Sequence, residues 1–400
     1  MRGAAVISAA LLLAAASSRA QIPVVPFLMG QASGTSANPA SPAMDMIHIH
    51  RGSWMLMLHG TAFLTDIQQS GARGGDKFVS TSWFMFSALH PAGGGAFALR
   101  TMLSLDPATV TRRAYPLLFQ TGETAFGRPL VDAQHPHDFI MELAFEYARP
   151  LGEGTLVNFY AAPVGDPALG PVAFPHRASA AELFQAPISH HWQDSTHIAN
   201  EVLTAGIERG IFRLEASGFH GAEPNENRWN IDRGAVDSWS ARLWISLIGR
   251  INAQVSAGRI ARPEAAEPGD VVRATASVAY GSGAVSAAFV WGRNHSTHTR
   301  RDLDSYLAES VLRFARRNYL TGRLEQVDKD ELALAGVFRI GAYTVGYTCD
   351  IASFRYVTTG AGANFTAYTF PAALLPVYGP HPFGFEFFLR FRLKKSRGRW

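Results

Sequence analysis

Cysteine is nearly missing from these 400 residues. Cys349 stands alone, so no internal disulfide can form and a disulfide-stapled secreted domain is excluded. Beyond position 20 the chain also lacks any uninterrupted run of roughly eighteen apolar residues, which excludes a transmembrane helix. Lys and Arg form no block apart from residues 394–399, and the net charge of +4 is spread thinly, so nucleic acid is not an expected partner. A Gly-x-Ser-x-Gly nucleophile elbow is absent too.

The N-terminus, by contrast, is explicit. Met1-Arg2 gives a positive start, Ala4 begins an apolar run that lasts to Ala16, and Ser18-Arg19-Ala20 offers small residues at a cleavage site. This predicts a signal peptide over residues 1–20 and export from the cytoplasm. No Cys follows Ala20, so a lipid anchor is not expected. Residues 21–52 are rich in Pro, Ser, Gly and Ala and predict a flexible periplasmic lead-in before a barrel over 53–400. Within the lead-in, Met44, Met46, His48 and His50 alternate, which in an extended chain puts four soft or borderline metal ligands on one side. An incidental Met/His tail is the favoured reading of that stretch.

From Ser53 onward the dominant signal has period two. Phe139, Met141, Leu143, Phe145 and Tyr147 are set against Glu142, Ala144 and Glu146; Phe385, Phe387, Leu389, Phe391 and Leu393 are set against Glu386, Arg390 and Arg392. Such strands bury an apolar face in a soluble core or turn it toward lipid. Connection lengths decide between these. Connections 90–95, 150–154, 208–210, 249–250, 281–283 and 316–318 are short, whereas 106–137, 164–197 and 221–236, on the opposite side by strand parity, are long. Short turns on one side and long loops on the other predict an all-β, antiparallel transmembrane barrel of about sixteen strands (range roughly 14–18) in the outer membrane, with its long external loops folded into the lumen. Trp54, Trp83, Phe84, Phe86, Tyr147, Tyr160, Trp239, Tyr280, Tyr319 and Tyr368 lie near predicted strand ends and are expected in interfacial girdles. Lipid and the barrel-assembly machinery are the expected partners, the latter through the Phe-rich last strand.

Charges expected to line the lumen carry both signs: Glu142, Glu146, Arg213, Glu215, Arg242, Arg273, Arg390 and Arg392. Cross-strand ion pairs that stiffen the wall are preferred over an aqueous path of mixed selectivity. The chemistry concentrates between Gln134 and His220, which hold seven of the fourteen histidines. The motifs are His135-Pro136-His137-Asp138, Phe174-Pro175-His176-Arg177 and His190-His191-Trp192-Gln193-Asp194-Ser195-Thr196-His197. In a helical turn His190, Asp194 and His197 share one face, and in an extended segment His135 and His137 share one side with Asp138 adjacent. Imidazole with carboxylate suits zinc, copper or nickel, whereas oxygen-only ligands would suit calcium or magnesium. The candidate metal residues are therefore His135, His137, Asp138, His176, His190, His191, Asp194 and His197. The bland alternative is a hydrogen-bonded plug that only rigidifies two loops. A third reading is a phospholipase-like outer-membrane hydrolase using Asp194, Ser195 and His197, although Ser195 and His197 lie too close in sequence to orient one another easily. The expectation is a transporter-like barrel without enzymatic activity.

At residues 120–123, 129–138, 170–177, 190–198, 223–232 and 329–331 the chain resembles an uncharacterised family of Gram-negative outer-membrane barrels often found among copper and heavy-metal resistance genes. The resemblance implies a barrel over most of the mature chain and a role in copper or other metal homeostasis. It supplies no catalytic residues.

Overall fold

The computed structural model describes residues 24–39, 45–152, 154–247 and 249–394. The expected signal at 1–20, Met44 and the tail beyond Lys394 lie outside the described residues. The strands, in chain order, are β1 (Ile47–Arg51), β2 (Trp54–Gln69), β3 (Gly75–Ala92), β4 (Gly95–Leu103), β5 (Tyr115–Ala125), β6 (Arg128–Gln134), β7 (Ile140–Gly152), β8 (Thr155–Gly165), β9 (Ala199–Arg209) and β10 (Phe212–His220). They continue with β11 (Ser238–Leu247), β12 (Ile251–Ile260), β13 (Val271–Gly281), β14 (Val285–Ser296), β15 (Asp302–Phe314), β16 (Asn318–Lys329), β17 (Phe338–Ser353), β18 (Val357–Thr369) and β19 (Phe383–Leu393).

Sixteen of these, β2 to β4 and β7 to β19, pair antiparallel around a closed ring: β4 pairs with β7, β9 with β10, and β19 with β2. Closure leaves no long unpaired edge in the hydrocarbon layer, where unmet backbone N–H and C=O groups are costly. Where β19 stops, with Arg392 opposite Thr61, β1 takes over the edge of β2, from Ile47 opposite Leu58 to Arg51 opposite Trp54.

Alternation determines which face sees lipid. Phe145, Leu203, Leu214, Val255, Phe289, Leu324, Val345 and Phe387 are all more than 40% exposed on the outer wall, while Glu142, Glu146, Glu215, Arg242, Arg273 and Arg390 are buried inside. The inverted pattern, apolar outside and charged inside, is that of a membrane barrel. Two expectations about facing fail. The pairing of β4 with β7 shifts register after Met102, where Leu103 faces Ile140, and this bulge turns Met141 inward. Met141 packs with Trp83, Met85, Met102, Val164 and Ile198 instead of facing lipid. Of the expected girdle, Trp83, Tyr160, Tyr319 and Tyr368 are buried within the barrel, because strand parity, not closeness to a strand end, sets the face. Trp54, Phe84, Phe86, Trp239 and Tyr280 do point outward.

The lumen is filled from both ends. Between β4 and β7 the chain inserts a separate two-stranded sheet of β5 and β6, and between β8 and β9 residues 166–198 run as short helical turns that are almost wholly buried. From the other end comes residues 24–39, expected to be part of a flexible lead-in but folded against the wall. Gln31 Nε2 donates to Glu146 at 2.7 Å, Arg242 donates to Thr35 Oγ1 at 2.9 Å, and Asn38 donates to the His176 carbonyl at 2.7 Å. Small polar residues that give the segment a disordered composition, such as Ser33, Thr35 and Ser36, are the ones that fit a crowded polar interior.

Candidate functional site

The wall anchors the inserted loops through the charges expected to line the lumen. Arg242 pairs with Glu215 at 3.1 Å and donates to the Gly170 carbonyl; Arg213 approaches Glu215 at 3.8 Å. Arg390 and Arg392 both grip Glu182 of the inserted loop, and Arg390 also pairs with Asp350. Glu142 holds Arg100 at 2.7 Å, and Arg273 donates to Ser195 Oγ at 3.0 Å and to the His191 carbonyl. A buried charge without a partner costs about 3–5 kcal/mol when its pair is removed, so these contacts fix the loops rather than decorate them.

The three polar loops meet. Arg228, from the loop after β10, forms an ion pair with Glu123 of β5 and lies 3.5 Å from Asp138; its carbonyl accepts from the Phe139 amide at 2.7 Å. Glu226 accepts from the Phe126 and Gly127 amides at 2.8 Å, clamping the β5–β6 turn. Glu123 sits in left-handed backbone, φ 61°, directly after Gly122, and this local strain aims its carboxylate inward.

The histidines form a connected group of rings. Centroids are 5.2 Å apart for His190 and His191, 5.2 Å for His190 and His197, 5.6 Å for His137 and His197, and 5.9 Å for His135 and His191. One ring nitrogen each from His135, His190 and His191 lies within 4.8 Å of the others, and all three residues are buried. His176 stands apart, edge-on to Trp83 at 4.3 Å, and His137 is held by Asp106 at 3.0 Å. Asp138 is occupied with Arg228, so neither it nor His176 joins the trio.

The expected helical face at 190–197 is broken. His190–Gln193 form one α turn, Asp194 adopts φ −147°, and Ser195–Ile198 form a 3-10 turn. The break still gathers the rings around Asp194: His190 Nδ1 donates to its Oδ1 at 2.7 Å, and His197 Nδ1 donates to its carbonyl at 2.9 Å. The Nδ1 of His135 is likewise taken by the Pro136 carbonyl at 3.1 Å. Partners of this kind leave Nε2 as the metal-facing nitrogen, the second-sphere arrangement of metal-binding histidines, with Glu123 Oε1 lying 3.2 Å from His135 Nε2.

Protonation fits that role at two of the three rings. Burial pushes His190 down to about 4, and burial, helped by Arg228, holds His135 well below the usual imidazole range. Both rings are neutral near pH 7 and can donate a lone pair. Burial would lower His191 as well, but the Glu223 and Glu123 carboxylates outweigh it and raise that ring. Burial works against ionised Asp194, yet the bond from His190 and the charge of Arg177 keep it below the usual carboxylate range.

The hydrolase constellation is not assembled. Ser195 Oγ is engaged by Arg273 rather than by a histidine, and the Asp194 carboxylate serves His190 rather than His197.

Arg273 is among the charges expected in the lumen, whereas Glu123, Lys329 and Glu264 are not singled out by the sequence as site residues. Glu123 and Lys329 do lie in the 120–123 and 329–331 motifs; Lys329 Nζ sits 4.4 Å from the Trp192 ring centroid. Glu264 carries no local signal and is brought in by a contact between loops.

No family model and no curated protein matches the sequence. Among solved structures, the chain is similar to Salmonella typhi OmpF in complex with daunomycin, with a TM-score of 0.53 and 8% identity over 86% of this chain and 100% of that one. It is also similar to an anion-selective porin from Comamonas acidovorans, with a TM-score of 0.51 and 11% identity over 85% of this chain and 99% of that one. At such identities the likeness concerns the fold. Together with the apolar outer belt and the sorted loop lengths, it identifies the fold as a closed, sixteen-stranded antiparallel barrel of the outer membrane.

Proposed function

We propose that this protein is an outer-membrane channel-like barrel whose lumen is closed by its own loops, and that the closure binds a late first-row metal ion, copper or zinc, at His135, His190 and His191. The observation that carries this reading is the trio itself: three buried imidazoles with ring nitrogens within 4.8 Å, two of them with Nδ1 already bonded. Three histidines and one open position suit zinc or copper. A plug built only for rigidity would satisfy its polar atoms, since a buried nitrogen without a partner costs about 1–3 kcal/mol. Here His135 Nε2 meets only a Glu123 carboxylate oxygen, at 3.2 Å, and His191 Nδ1 only Glu223, at 3.4 Å, and Glu264, at 3.7 Å, none of them a well-formed hydrogen bond. A role in metal homeostasis follows from such a site in the outer membrane.

Zinc and copper titrations of the refolded full chain by calorimetry test this. Wild-type protein is expected to bind tightly, and a His135→Ala/His190→Ala variant that still shows heat-modifiable migration is expected to lose that binding. Equal affinity in both would reduce the histidines to structural elements of a plugged barrel.

A further inference from the structure

On the outer side of the trio, His191 faces a second set of donors. Its Nδ1 lies 3.4 Å from Glu223 Oε1 and 3.7 Å from Glu264 Oε1, too long for good hydrogen bonds, and one ligand atom from each of the three residues falls within 4.8 Å of the others. His191 is 4% exposed and has no hydrogen-bond partner on either ring nitrogen; Glu223 Oε2 is also buried and unpartnered. Among the described residues neither carboxylate pairs with an Arg or Lys. Two partly buried carboxylates held this close to one imidazole need positive charge between them, from a proton on the ring or from a metal ion.

The residues are held in place by contacts between the loops and with the barrel wall. The Glu223 amide donates to the Pro263 carbonyl at 2.8 Å, which ties the loop after β10 to the loop after β12 and sets Glu223 beside Glu264. The His191 carbonyl accepts from Arg273 on β13 and from Asn294 on β14, so the barrel wall fixes the backbone that carries the ring. Gly122 presents no side chain to that ring, where a Cβ would collide with it. His191 and Glu264 line a cleft with Glu267, Asp270, Asp330 and Glu331. Asp270 and Asp330 are paired with Arg259 and Arg301, while Glu267 and Glu331 make no ion pair with Arg or Lys among the described residues and leave the cleft acidic, which concentrates cations.

We propose that His191, Glu223 and Glu264 form a second divalent-cation site at the outer mouth of the plug, distinct from the His135/His190/His191 trio and loaded through the acidic cleft. Two carboxylates balance the charge of a divalent ion, and one imidazole with two carboxylates suits zinc, cobalt or manganese over the oxygen-preferring calcium and magnesium. The inference rests on the proposed reading only in that the two groups share His191, whose ring would bridge both ions as an imidazolate, one nitrogen to each, its N–H proton leaving to solvent as the second ion binds.

Zinc stoichiometry by calorimetry and cobalt absorption on refolded full chain test it, with heat-modifiable migration as the folding control for every variant. Wild type is expected to take two equivalents. Glu223→Gln/Glu264→Gln should take one and lose one of the two cobalt signatures, while His190→Ala should take one and lose the other. Two equivalents retained by Glu223→Gln/Glu264→Gln would overturn the second site. A single wild-type equivalent lost in His190→Ala alone would also overturn it while leaving the trio standing. A single equivalent lost in the Gln pair and indifferent to His190→Ala would support the second site and overturn the trio. No equivalents would overturn both.

Discussion

His190 Nδ1 lies 2.7 Å from Asp194 Oδ1, four positions along the chain, while the other carboxylate oxygen of Asp194 lies 3.3 Å from Arg177 Nη1. Arg177 in turn pairs with Glu309 of β15 at 2.6 Å. The orientation of one imidazole in the plug is thus transmitted from the barrel wall through a carboxylate and a guanidinium.

Asp194→Asn should therefore weaken metal binding while leaving all three imidazoles present. Outer partners of this kind are worth about 10–100-fold in affinity. Competition with a chromophoric chelator measures it, and an unchanged affinity would remove Asp194 from the site.

Gly122→Ala should displace the His191 ring. Gly122 has φ 110° and its Cβ would collide with the imidazole, whereas Gly127, φ 71°, has nothing within 4 Å of its Cβ position. Comparing Gly122→Ala with Gly127→Ala separates collision from backbone strain. The first should lower both metal affinity and the unfolding temperature by more than the second.

Asp166 links the N-terminal segment to acid. Burial pushes its carboxyl up to about 7, despite the nearby Arg242 and the 2.8 Å bond from Ser33 Oγ, with Glu142 and Asp194 adding repulsion. The folded pKa lies above the ordinary 3.8, so the folded form binds the proton more tightly. The stabilisation is fully present below about 4 and is lost as pH rises toward about 7. Unfolding midpoints across that window should fall more steeply in wild type than in Asp166→Asn. Parallel profiles would mean that Asp166 stays ionised.

Deleting residues 24–39 should raise conductance in a planar bilayer above a nearly closed wild type, because Gln31, Ser33, Thr35 and Asn38 occupy polar positions inside the wall. Unchanged current would place the seal wholly in residues 166–198.

Leu324→Arg tests the outer wall. Leu324 is 55% exposed in the middle of β16, and an Arg facing lipid near the midplane costs about 2–4 kcal/mol. Chemical unfolding from lipid vesicles reads this directly; a negligible cost would mean that this face does not see hydrocarbon.

The barrel was legible because alternation and loop parity are local signals repeated sixteen times. They misplaced Met141, because a bulge is one extra residue without a composition of its own, and they misplaced Tyr160 and Trp83, because closeness to a strand end does not set facing. The histidine loops were legible by density alone. The sheet of β5 and β6 was not, because left-handed backbone at Phe119, Glu123 and Asp132 interrupts the alternation that would reveal it. The folded lead-in is not legible, because Ser and Thr read as solvent-facing while a polar lumen buries them. Glu264 enters through one hydrogen bond between loops, which no sequence pattern encodes.

The measurement nearest the central claim is anomalous diffraction at the zinc edge from crystals of the zinc-loaded full chain. A peak bounded by His135, His190 and His191 is predicted. Loaded crystals with no anomalous density among those three rings would contradict the assignment.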